Sequence, residues 1–146
     1  MIKYITHELS RYWPITPELM AQYRDGDKPA YIGKDGHCEW YQNGKLHRDG
    51  DLPAVIDADG HLFWYQNGQL HREGDKPAKI FADGGLEWWQ NDQLHRIGGP
   101  AVIYPSGRFA WWINGEYIKV ESQEEFIEYL TKHNLIKDKG WCHELQ

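Results

Sequence analysis

The chain has 146 residues, 40% of them hydrophobic, which is enough for one domain with its own core and too few for two. Lys and Arg number 16 against 22 Asp and Glu, a net charge of −6 that argues against a nucleic-acid binder held by phosphate contacts. No stretch approaches the roughly 20 apolar residues of a membrane span, the opening Met1 to His7 lacks a basic start ahead of an apolar run, and two cysteines are too few for a disulfide scaffold, so a cytosolic protein is expected.

In chain order, Thr16-Pro17-Glu18 opens a short helical turn through Leu19 and Met20, with Pro17 suited to the first helical position. Residues 1–24 are read as an N-terminal cap. Four tandem copies follow over residues 25–119, marked by Pro29-Ala30-Tyr31-Ile32, Pro53-Ala54-Val55-Ile56, Pro77-Ala78-Lys79-Ile80 and Pro100-Ala101-Val102-Ile103, spaced 24, 24 and 23 residues apart. A period of this length marks an array in which each unit buries its apolar face against its neighbours. Within the second copy Ala54 to Asp57, a turn at Asp59-Gly60, Leu62 to Gln66, a turn at Asn67-Gly68 and Leu70 to Arg72 predict an antiparallel meander. Ser122-Gln123-Glu124-Glu125 is a capping-box pattern that opens a helix with Phe126, Tyr129 and Leu130 on one stripe and a stop near Asn134. Residues 120–146 are thus a helical cap, with Leu135, Ile136 and Trp141 continuing the packing. The predicted fold is mainly β: one domain of tandem hairpins in an elongated antiparallel sheet, capped by a C-terminal helix.

Alternation of side chains assigns the two faces. Ala and Ile of each first strand fall with Cys38, Leu62, Leu86 and Phe109 and with a ladder of Trp40, Trp64, Trp88 and Trp111, which is read as core. Cys38 takes a slot held elsewhere by Leu or Phe and is read as a small buried hydrophobe. The opposite parity carries Tyr41, Tyr65, Trp89 and Trp112, with Tyr31, Phe63 and Val102 nearby. Exposed aromatic rows mark partner surfaces. Two outcomes stay open for this row: a binding strip, or a face covered by the terminal helix or by the N-terminal segment with Tyr12 and Trp13.

The string Trp64-Tyr65-Gln66-Asn67-Gly68-Gln69-Leu70-His71-Arg72-Glu73-Gly74, closing on Pro77-Ala78, resembles the MORN-type hairpin repeat in its Asn-Gly, His-Arg, Gly-Pro-Ala variant, over about residues 24 to 119. That variant is met in proteins of bacteria, bacteriophages and giant viruses. The resemblance implies binding or scaffolding rather than catalysis. The short length and terminal helix are similar to phage accessory proteins, which implies work in the cytoplasm of a bacterial host, against a host defence factor.

The repeated His47-Arg48, His71-Arg72 and His95-Arg96 are candidates for either a ligand or a structural role. Metal ligands must lie about 2 Å from a common centre, whereas equivalent residues of successive hairpins are roughly 10 Å apart. A structural role is favoured, bonding the returning loop or lying over an aromatic ring. The acids Asp25/Asp27, Asp49/Asp51 and Glu73/Asp75 are read as solvated loop charges. No nucleophile motif and no phosphate loop is present, and no metal or cofactor is expected. The reading is a non-enzymatic module with a protein partner. A binder of a small planar ligand such as a nucleotide is the alternative, and homo-oligomerisation stays open.

Overall fold

The computed structural model describes Tyr12 and residues 15–136. Its centre is a nine-stranded antiparallel sheet to which every copy contributes two strands. These are β1 (Tyr31–Ile32) and β2 (Cys38–Glu39), β5 (Val55–Ile56) and β6 (Leu62–Phe63), β9 (Lys79–Ile80) and β10 (Leu86–Glu87), and β13 (Val102–Ile103) and β14 (Phe109–Ile113), closed by β15 (Glu116–Ile118). Three side hairpins hold the rest: β3 (Tyr41–Gln42) with β4 (Lys45–Leu46), β7 (Tyr65–Gln66) with β8 (Gln69–Leu70), and β11 (Trp89–Gln90) with β12 (Gln93–Leu94). Register follows the repeat, Leu62 lying opposite both Ile56 and Ile80.

One feature of the meander differs from expectation. The segment read as a single strand, Leu62 to Gln66, breaks at Trp64, and the same happens at Trp40 and Trp88. The Trp64 N–H donates to the Ala78 carbonyl of the next copy at 2.8 Å, while its own carbonyl accepts from the His71 N–H at 3.2 Å. Each tryptophan therefore splices the central sheet to a side hairpin. In the last copy no later Pro-Ala segment draws the Trp111 N–H away, and β14 runs on unbroken. Adjacent side hairpins are stitched by Gly68 N–H to Leu46, Asp92 N–H to Leu70 and Gly115 N–H to Leu94 carbonyl bonds of 2.8–3.0 Å.

Turn chemistry explains these hairpins. Asn67 and Gly68 both have positive φ, 52° and 81°, the backbone of a type I′ turn whose twist matches the strands. The Asp-Gly turns work differently: in Asp59-Gly60 only Gly60 has positive φ, and Asp57 Oδ1 ties the turn by accepting the Asp59 and His61 amides.

The predicted core face is the observed one. Trp40, Trp64, Trp88 and Trp111 are at most 3% exposed, with Ile56, Leu62, Ile80, Leu86 and Ile103 beneath them. Cys38 is buried as expected. Helix α1 (Pro17–Arg24), N-capped by the Thr16 hydroxyl, lies on this indole side, with Tyr23 meeting Trp64 edge to face at 5.9 Å. Helix α2 (Gln123–Lys132), N-capped by Ser122, sets Phe126 and Leu130 against Trp111, Ile113 and Ile118. Its run ends at His133, next to Asn134 with φ 56°. Ile136 joins the packing and Leu135 is exposed. Among the described residues no strand pairs with the outer side of β1, and α1 packs on the face of the sheet. The readings of Met1 to His7, Trp13, Trp141 and Cys142 lie outside the described residues. No helix among the described residues is long and apolar enough to cross a membrane.

Candidate binding surface

The repeated His-Arg pairs are spent on holding the array together. Each guanidinium lies flat over the indole of its own copy, Arg48 over Trp40 at 3.8 Å, Arg72 over Trp64 at 3.9 Å and Arg96 over Trp88 at 3.8 Å. In that position Arg72 Nε donates to Asp51 Oδ1 at 2.8 Å and Nη1 to the Pro77 carbonyl at 3.0 Å, joining three consecutive segments. Arg48 and Arg96 repeat the pattern with Asp27 and Pro53, and with Asp75 and Pro100. The Asp main chain contributes too, since its carbonyl accepts the indole N–H, as from Trp64 to Asp51 at 3.2 Å. Arginine suits this place because one planar cation can stack and fork at once.

The loop acids are exposed as read, but Asp27, Asp51 and Asp75, with side chains 42–56% accessible, have a role beyond that reading, since each is ion-paired to a buried arginine. Burial alone would raise the Asp51 carboxyl, but hydrogen bonds from Arg72 and Lys76 outweigh it and hold it below its ordinary value. A signal for this pairing exists in the sequence. Each Asp lies 21 residues before its Arg, and in the copy where Lys119 replaces Arg the acid is replaced by Gly98-Gly99.

The histidines face the next turn. His47, His71 and His95 each accept at Nδ1 the backbone N–H of Asn67, Asn91 and Asn114, at 3.0–3.2 Å. An acceptor Nδ1 places the proton on Nε2, which His47 donates to Asp49 at 2.8 Å and His71 to Glu73 at 2.6 Å. In the third copy Ile97 stands in the place of that acid. Burial pushes the His95 imidazole below its ordinary value of 6.5.

The opposite face of the sheet carries the aromatic row. Tyr31 and Tyr41 are 54% and 45% exposed, whereas Phe63, Tyr65, Trp89 and Trp112 are half-buried. Both described helices lie on the other side, and Trp89 and Trp112 are partly buried where they pack against the core cluster of the sheet. Tyr41 donates its hydroxyl to Glu39 Oε2 at 2.7 Å, and Trp89 donates its indole N–H to Glu87 Oε2 at 2.7 Å. The Lys79 ammonium sits 5.6 Å from the Phe63 ring centre and 5.0 Å from that of Trp89. Hydrogen bonds from His37 and Tyr41 hold the Glu39 carboxyl low, and burial raises the Tyr65 phenol. Val102, grouped with this row, is buried between its cross-strand neighbours Glu87 and Ala110. In the last copy Ala110 replaces the glutamate, and the Trp112 indole N–H is buried without a partner; its ring meets exposed Tyr117 at 5.5 Å instead.

An open cleft of about 600 Å³ runs between the second and third copies, lined by Asp49, Asp51, Gln66, His71, Arg72 and Lys76, and a smaller one of about 370 Å³ repeats it beside Trp40. In both, the arginine is already stacked and bonded. Asp57, Asp59 and His61 bring three donor atoms within 4.8 Å of one another, yet Asp57 Oδ1 is engaged in its turn and His61 Nδ1 accepts the Ala82 N–H at 2.9 Å. No protein-family model, no curated protein and no solved structure matches this chain.

Proposed function

We propose that the protein is a non-enzymatic binding module of MORN-like hairpin repeats, working in the cytosol, whose outer row of Tyr31, Tyr41, Phe63, Tyr65, Trp89 and Trp112 contacts a protein partner. The observation that carries this reading is a division of labour. Every repeated His and Arg is engaged within the scaffold on the indole side and at the joints, while the aromatic row on the other face is crossed by neither described helix. Amphipathic rings with Tyr hydroxyl and Trp N–H groups supply large contact area at low entropic cost, the usual anchors of protein interfaces. A nucleotide-sized ligand fits less well, because such ligands need concave enclosure and free cations.

The test is affinity capture with wild-type protein and with Tyr65→Ala and Tyr41→Ala variants, alongside thermal shift against a nucleotide panel. One saturable protein partner, lost in the variants while circular dichroism is unchanged, supports the module. A melting shift with one nucleotide and no saturable partner would replace it with the small-ligand reading.

A further inference from the structure

The first copy is open where all later copies are closed. Ala54, Ala78 and Ala101 are 0% exposed and Ile56, Ile80 and Ile103 at most 2%, yet in the first copy Ala30 is exposed and Ile32 is 66% exposed. Pro53, Pro77 and Pro100 are fully buried, and Pro29 is not. In each later copy the Ala carbonyl accepts the Trp N–H of the preceding one, Trp40 to Ala54, Trp64 to Ala78 and Trp88 to Ala101, at 2.7–2.8 Å. Among the described residues no strand lies outside β1, so by the pattern of the later copies the Ala30 carbonyl faces outward from the sheet edge. The Gly33 N–H bonds inward to His37, and strand alternation therefore turns the Ile32 N–H outward as well. This edge has a donor and an acceptor in place, an apolar side chain beside them and no charge within Ala30 to Ile32, whereas free edges are ordinarily blunted by charge, bulge or cover.

We infer that this edge pairs with the same edge of a second copy of the chain. Two features select that occupant, an edge whose outward groups complement those of its own copy and so close a two-fold contact. Face parity fits a two-fold axis through Tyr31. Antiparallel pairing then sets Tyr31 against Tyr31 of the second copy on the aromatic side, and Ala30 against Ile32 on the indole side. Bonding fits too, since the outward Ile32 N–H meets the outward Ala30 carbonyl of the other chain, twice by symmetry. The two nine-stranded sheets become one, and their aromatic rows run on through the paired Tyr31 residues. This pairing is independent of what the row binds.

Sedimentation equilibrium of the full chain tests it. The expected mass rises with concentration to twice 17.2 kDa, and Ile32→Lys returns it to the single-chain value with circular dichroism unchanged. Register is tested under mild oxidation in a Cys38→Ala, Cys142→Ser background, because Cys38 lies directly across from Ile32 in the same chain. Tyr31→Cys forms a disulfide-linked dimer, because directly opposed residues of a non-hydrogen-bonded pair lie about 4.5 Å apart at Cα. Ile32→Cys does not. A single-chain mass at all concentrations, a doubled mass unaffected by Ile32→Lys, or preferential crosslinking through Ile32→Cys would each overturn the inference.

Discussion

The guanidinium carbon of Arg72 lies 3.9 Å from the centre of the Trp64 ring, in a chain segment that also binds Asp51 behind it and Pro77 ahead. One side chain thus couples three stretches of sequence, and its two equivalents do the same in the neighbouring copies. The period of the array is the period of this contact.

Replacing Arg72 with Lys keeps the charge and loses the planar fork. The Asp51 carboxylate then keeps one point contact, and the Pro77 carbonyl, bonded in a buried setting, is left short. Hydrogen bonds to charged groups contribute about 1.5–3 kcal/mol each, so a loss of about 2 kcal/mol is expected, read as a lower urea midpoint. Lys76→Ala, removing the exposed partner of Asp51, should cost less than about 1 kcal/mol.

Acid should loosen the joints through His95. Its folded value lies below 6.5, so the unfolded chain takes up the proton more readily. Its contribution is intact above 6.5 and is lost as pH falls through that value toward the lower folded one. Melting temperature should therefore drop over this window, and His95→Gln should flatten part of the slope. A slope unchanged in that variant would remove His95 from the account.

At still lower pH the Asp51 carboxyl, held below its ordinary value by Arg72 and Lys76, contributes stability that persists above 3.8 and disappears as pH falls through its folded value. Asp51→Asn should lower stability at neutral pH and make the acid limb of the curve shallower, measured by urea titration across pH.

Two tryptophans of the outer row separate hydrogen bonding from packing. Trp89 donates to Glu87, whereas the Trp112 N–H has no partner. Trp89→Phe should therefore cost about 1 kcal/mol more than Trp112→Phe, which removes a buried donor that is already unsatisfied. Equal losses would mean that the Glu87 contact contributes nothing.

Much of the fold was legible because it is local or repeated. Asn-Gly turns, the capping box at Ser122 and the parity of Trp40, Trp64, Trp88 and Trp111 follow from neighbouring residues, and the structure places them as read. The break at each tryptophan was not legible, since side-chain alternation continues across it and only the destination of one backbone N–H changes. The Arg-Asp joints were hidden for a different reason: a separation of 21 residues leaves no local pattern, and only the joint loss of acid and Arg at Gly98-Gly99 and Lys119 betrays it. For the outer row, sequence could not say whether a helix crosses it, because α2 has an apolar stripe that would serve either face. Trp111, Ile113 and Ile118, on the indole side of the last hairpin, receive that stripe.

The most direct test of the central claim is photo-crosslinking in cells that naturally make the protein, with a photoreactive phenylalanine analogue replacing Tyr41 or Tyr65 on the aromatic face, and Asp59 in an exposed turn as the control position. The account predicts one shared protein adduct from the positions of Tyr41 and Tyr65, competed by excess wild-type protein, and none from that of Asp59. Adducts of equal yield and identity from all three, or none from the aromatic face, would contradict it.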